Sequence, residues 1–207
     1  KDKHDWPMIF DLIDETLNDI RTNFPYAVIK IDKAEADDII GALTKHQADK
    51  VLHGPVVIIS ADKDFIQLQK YGLVTQWSPL FDKLVVDHTP SKYLFDHILK
   101  GDSSDGVPNV LSNDDVFITH TRQHPMTKKK IAAYWESRDN LKDVMPQHVF
   151  RNYMRNREMI DLERTPENIK QESIDQYENY KYPDKSNILN YLIENRMKML
   201  VELAGEF

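Results

Sequence analysis

The chain has 207 residues, with 27 Lys and Arg against 34 Asp and Glu, so its formal net charge is −7 with histidines neutral. That size suits one domain, at most with a helical annex, and 41% hydrophobic residues can fill a core, which excludes global disorder. There is no cysteine, so disulfides, thiolate nucleophiles and Cys-ligated zinc or iron–sulfur centres are excluded, and the apolar runs are too short to span a bilayer.

In chain order, Trp6, Ile9, Phe10, Ile13, Leu17 and Ile20 recur at helical spacing behind Pro7, which predicts an amphipathic helix. Tyr26–Asp32, with β-branched Val28, Ile29 and Ile31, reads as a strand, and a helix follows over Ala34–Ala48. The continuous apolar run Pro55–Ser60 has the pattern of a parallel strand buried on both faces. A short helix over Asp64–Lys70 and two short strands, Val74–Ser78 and Leu84–Asp87, complete a βαβ series, so residues 1–110 are expected to form an α/β sheet. Residues 111–207 are expected to be helical, with helices over Thr127–Ser137, Gln147–Leu162, Pro166–Tyr180 and Ser186–Ala204, preceded by one at Lys92–Lys100. The start Lys1-Asp2-Lys3-His4 has neither Met nor signal-peptide architecture, which points to an internal start in a cytoplasmic protein.

Charge is unevenly spread. Residues 1–119 hold 12 Lys and Arg against 20 Asp and Glu, residues 120–164 hold 10 against 6, and residues 165–207 hold 5 against 8. An acidic half beside a basic stretch suits an acidic metal pocket next to a surface that follows phosphates; solvated faces on unrelated helices are the plainer account. Three acidic motifs lie at predicted element ends: Glu35-Ala36-Asp37-Asp38, Asp62-Lys63-Asp64, and Gly101-Asp102-Ser103-Ser104-Asp105-Gly106. Each alone is equally a helix cap or an Asx turn. Together they fit hard divalent cations such as Mg²⁺, two of which, ~3.5–4 Å apart, activate a water and stabilise the leaving oxygen of a phosphodiester. Like charges packed without a cation are unfavourable, so convergence of the three motifs makes sense mainly as a metal site.

The runs Ile31–Asp38, Ile58–Phe65, Gln76–Pro79 and Ile98–Asp102, with Asp105 three residues later, resemble the 5′-nuclease family: flap endonucleases, the 5′-nuclease domains of bacterial polymerases and, most closely, ribonucleases H of the T-even phage type. The resemblance is specific over 26–110 and weak beyond. It implies a PIN-like core, here lacking its first strand, and a structure-specific 5′ to 3′ exonuclease and flap endonuclease that removes RNA primers and 5′ flaps in DNA replication. It further implies Asp37 and Asp62 as ligands of one Mg²⁺ and Asp64 and Asp105 as ligands of a second, with Mn²⁺ able to substitute. Glu35 and Asp102 join the metal carboxylates by the same resemblance, Asp38 standing behind them. Expected partners are DNA and RNA–DNA hybrids as 5′ flaps, forks and nicks, a single-strand-binding protein and a sliding clamp, with a monomer and no membrane. Relatives carry a further Asp in their first strand and an acid before a helical arch, neither of which has a counterpart here. The resemblance therefore implies the C-terminal two-thirds of a longer protein, poorly active alone.

In the helical half the resemblance places a helix-hairpin-helix-like DNA-binding element, with K⁺ held by loop carbonyls, at Gly101–Asn109 and Met126–Trp135. Lys128, Lys129 and Lys130 oppose the dipole at a helix start, which a phosphate would relieve; a solvated lysine run is the alternative. Arg151 and Arg155, one turn apart with His148 and Arg157 near, either follow a phosphate strand or pair with acids. His120 and His124 have metal-chelating spacing only if helical, and Met197, Met199 and Leu200 read as packing. Two other readings stand beside the nuclease: a non-catalytic junction-DNA-binding or replication-scaffold fragment, and a single-stranded-RNA nuclease of the related toxin type.

Overall fold

The computed structural model describes residues 4–50 and 54–207. Its first two helices begin where the sequence offers caps. Helix α1 (Trp6–Asn23) starts on Asp5, whose side chain accepts from the Met8 amide at 3.2 Å, with proline in its first turn. Helix α2 (Ala36–Ala48) starts on Glu35, whose own amide donates to Asp38 Oδ2 at 3.1 Å. Strand β1 (Val56–Ile59) runs into a 3₁₀ helix, Lys63–Tyr71, and then β2 (Val74–Ser78), which pairs parallel with β1; β3 (Lys83–Val85) returns antiparallel on β2. The sheet order is β1-β2-β3, one parallel and one antiparallel pair among the described residues. Helices α3 (Pro90–Lys100), α4 (Lys128–Glu136), α5 (Leu141–Val144), α6 (Gln147–Ile160), α7 (Glu167–Glu178), α8 (Ser186–Glu194) and α9 (Lys198–Val201) follow. The α/β class with a helical second half is as expected.

The chain divides into two compact units, Lys33–Ile174 and the described part of Lys1–Asp32 with Asp175–Phe207. The larger unit has two apolar clusters. One joins Leu94, Ile98 and Leu99 of α3 to Ile131 of α4 and Val149 and Ile160 of α6; the other sets Ile58 of β1 and Val74 of β2 on Phe65 and Leu68 of the 3₁₀ helix. Each such side chain stabilises the fold by about 2 kcal/mol when fully buried. The first cluster backs α3 and thereby the loop that leaves it. In the smaller unit, Phe24 meets Tyr191 and Phe207 edge to face, and the Tyr191 hydroxyl donates to Asp19 at 2.8 Å.

Three local expectations are corrected. Tyr26–Asp32 forms no strand, because β-branched residues become a strand only with a neighbour to pair with. Strand β1 is not buried on both faces: Ile58 is buried, but the alternating positions Val57 and Ile59 are 60% and 72% exposed. The helix expected over Ser186–Ala204 is broken at Arg196, where φ is +57°. There the Arg196 amide donates to Ile193 O at 3.0 Å and the Met197 amide to Leu192 O at 2.9 Å, the paired bonds of a Schellman cap made without glycine. No helix among the described residues is long and apolar enough to cross a membrane.

Candidate metal centre

Three segments of the larger unit deliver acids to one place. Strand β1 ends at Ile59, and the chain turns at once: the Asp62 amide donates to Ser60 Oγ at 3.1 Å, and Asp62 Oδ1 accepts from the Asp64 amide at 2.9 Å, capping the 3₁₀ helix. This turn fixes Asp62 and Asp64 side by side. Helix α3 ends on Gly101, after which Asp102 closes a tight loop by accepting from the Ser104 amide at 2.8 Å and from the Ser104 hydroxyl. The Val107 amide returns to Asp102 O at 2.6 Å. Asp105 sits in the middle of that loop, and Asp37 lies in the first turn of α2.

A cleft of about 570 Å³ is lined by Ser60, Asp62, Asp64, Tyr93, His97 and Asp102, among others. Its electrostatics tie the segments together. Asp37 is pushed up from 3.8 to about 6 by burial and then by the charges of Asp62, Asp64, Glu35 and Asp38. Asp105 is raised by burial and by Asp102, Asp64 and Asp62, whereas Asp102 is lowered, first by the Ser104 hydroxyl and also by the Ser104 amide and His97. Mutual repulsion among neighbouring carboxylates is the state that a divalent cation reverses, and carboxylate oxygens are donors that suit hard ions. Asp38 is otherwise committed: one oxygen accepts from the Glu35 amide and the other from Thr165 Oγ1 at 2.7 Å.

Two residues that the sequence did not flag enter the cleft from α3. His97 places Nδ1 3.2 Å from Asp64 Oδ1 and Nε2 3.1 Å from Asp102 Oδ2, and Asp64, His97 and Asp102 can present ligand atoms within 4.8 Å of one another. Its pKa is raised, first by the bond to Asp64 and against its burial. Tyr93, one turn earlier, packs edge to face on His97, and burial beside Asp64 and Asp62 pushes its hydroxyl up to about 12. Their spacing of four residues, one helical turn before Gly101, was the available signal.

Outside the cleft, Lys128, Lys129 and Lys130 are exposed in the first turn of α4, a turn without an acid. Arg151 and Arg155 both pair with Asp114: Arg151 Nη2 lies 2.8 Å from its Oδ1, and Arg155 Nη1 contacts the same oxygen. His120 and His124 lie in the loop between α3 and α4, not on a helix, and His120 has φ +52°, so their spacing of four does not align them for chelation.

The acids also set a pH dependence. Between about pH 4 and pH 6 the folded chain keeps a proton on Asp37 that the unfolded chain has released, so metal-free stability falls as pH rises through that window. His97, raised in the folded state, adds a loss in the same direction as pH rises further. After discounting for solvent screening the Asp37 effect is about 1 kcal/mol, or roughly 3 °C in a protein of this size. Thermal melts in EDTA between pH 4.5 and 7.5 should decline; a rise would show that burial and its acidic neighbours do not hold the proton on Asp37.

Two family models match this chain: "5'-3' exonuclease, N-terminal resolvase-like domain" over residues 7–92 and "T4 RNase H, C terminal" over residues 90–207. Ribonuclease H of Enterobacteria phage T4 is 32% identical over 209 residues, an alignment that takes in 98% of this chain and 68% of that protein. Among solved structures, T5 D15 protein co-crystallized with metal ions matches with a TM-score of 0.51 at 17% identity, over 82% of this chain and 68% of that one, a likeness of fold.

Proposed function

Because this chain belongs to the 5′-3′ exonuclease family of the T4 RNase H type, we propose that it is a metal-dependent 5′-nuclease acting on 5′ flaps and RNA–DNA hybrids during DNA replication. The observation that supports this most is that Asp62, Asp64 and Asp102 line one cleft within electrostatic reach of Asp37 and Asp105, with Asp37 raised to about 6 by burial and then by the neighbouring acids. In this reading Asp37 and Asp62 hold one divalent ion and Asp64 and Asp105 a second, with Glu35 beside the first and Asp102 beside the second. When bound, Mg²⁺ or Mn²⁺ supplies the positive charge that makes water nucleophilic and stabilises the leaving 3′ oxygen.

The chain's own residues do the rest. His97, clasped by Asp64 and Asp102, holds those two carboxylates at a fixed separation. Tyr93 keeps its proton at neutral pH and lines the cleft beside His97. Lys128–Lys130 of α4 supply a sequence-independent phosphate contact, so each removed lysine should weaken DNA binding equally on all sequences. Residues 1–110 would thus carry the chemistry and 111–207 the grip on DNA, with a single-strand-binding protein or sliding clamp as replication partners.

The test is cleavage of a 5′-flap duplex and an RNA–DNA hybrid by the intact protein, with EDTA and with metal added back. Cleavage should vanish in EDTA and return with Mg²⁺ or Mn²⁺, leaving 5′-phosphate and 3′-hydroxyl ends. Saturable metal should also raise the melting midpoint, by about 4 °C at tenfold excess over the dissociation constant. Equal melting with and without metal would favour a DNA-binding scaffold instead.

A further inference from the structure

Two side-chain amides with no solvent exposure, Gln76 and Asn156, each reach across to the backbone of one acid-bearing loop. Gln76, on β2, donates through Nε2 to Ser60 O at 3.0 Å and to Asp62 O, the carbonyls on either side of the turn that presents Asp62 and Asp64. Asn156, on α6, donates through Nδ2 to Ile98 O at 2.9 Å and to Pro108 O at 2.8 Å, the two ends of the loop that carries Asp102 and Asp105. An amide with both N–H groups used in this way sets the distance between two carbonyls, and in a dry interior it has no water to exchange with.

The Asn156 arrangement is further braced. Its Oδ1 accepts from Arg155 Nε at 3.0 Å and Nη2 at 2.7 Å, and Arg155 Nη2 also reaches Pro108 O at 3.2 Å. One turn earlier the pattern repeats: Asn152 Nδ2 donates to Val110 O and Ser112 O, both at 3.0 Å, while its Oδ1 accepts from Arg151. Both arginines converge on Asp114, so the Arg-Asn pairs at 151–152 and 155–156 sew the segment 98–114 onto α6.

We propose that Gln76 and Asn156 are positioning residues of the metal centre, each holding one limb of its carboxylates at the spacing two divalent ions require. They touch neither ion nor substrate; they act through the loops. The inference rests on the metal-centre reading above and adds residues outside the cleft to it.

The experiment is calorimetric titration of the intact protein with Mn²⁺, without nucleic acid. Asn156→Ala and Gln76→Ala should each weaken Mn²⁺ binding about tenfold or more, within the range seen when groups that orient metal ligands are removed. Val149→Ala, equally buried on α6 but apolar, should lower the melting midpoint and leave Mn²⁺ affinity within twofold. Unchanged affinity in both amide variants, or equal weakening in Val149→Ala, would overturn the proposal. Should the amide variants fail to fold, Arg155→Gln removes the brace and one bond to Pro108 O from a partly exposed site. It should weaken Mn²⁺ binding about threefold, and wild-type affinity there would overturn the proposal. Absence of saturable Mn²⁺ binding by the wild-type protein defeats the metal-centre reading itself, and the positioning roles with it.

Discussion

Asp64→Asn should reduce cleavage of a 5′-flap duplex by about 10³-fold or more while leaving the dissociation constant for the same DNA within about threefold. The substitution keeps shape and size and removes one negative charge from the centre of the cleft. Asp64 is the acid around which the site is wired: its amide completes the turn on Asp62, its carboxylate faces His97, and its charge raises both Asp37 and Asp105. A neutral amide there is a much weaker ligand for a hard cation, and it releases His97 from the partner that most raises its pKa. Single-turnover cleavage beside a DNA-binding titration separates the two effects; wild-type turnover in Asp64→Asn would remove Asp64 from the chemistry.

Gly101→Ala should lower unfolding stability by about 3 kcal/mol or more and weaken Mn²⁺ binding at the same time. Gly101 caps α3 with φ +69° and ψ −179°, a backbone region nearly restricted to glycine. A Cβ there would collide with the Val107 carbonyl oxygen and lie 2.6 Å from the Pro108 carbonyl. Neither atom can yield, because Val107 is paired with Asp102 and Pro108 O is held by Asn156. Gly106, in the same loop with φ +73°, has nothing within 4 Å of such a Cβ, so Gly106→Ala should cost only about 1 kcal/mol. Urea titrations of the two variants make the comparison, and equal losses would show that the close approach at Gly101 is unimportant.

The sequence made legible what depends on local order. Apolar spacing gave α1, α3, α4 and α6 within a few residues, and the acids are conspicuous because they stand where elements start or stop. It hid what depends on distant partners. Whether Tyr26–Asp32 becomes a strand is decided by a neighbour, and whether β1 is covered on both sides is decided by another layer; alternation alone speaks to neither. His97 and Tyr93 lie one turn apart on α3, just ahead of the Ile98–Asp102 run, and only the fold shows that their turn faces Asp64. Arg151 and Arg155 read equally as phosphate or carboxylate partners until Asp114, 37 and 41 residues away, is seen beside them.

The acids of the cleft and those that interact with them come from positions 35 to 105, and the amide that ties one of their loops sits at 156. Nothing short of about 120 residues brought together makes the site, so its contacts are of long sequence separation and form late. If this cluster is the metal centre proposed above, a partly synthesised or partly unfolded chain does not assemble it. Nuclease activity should then disappear in step with global unfolding rather than linger in fragments, which activity and circular dichroism followed together through a urea titration would show.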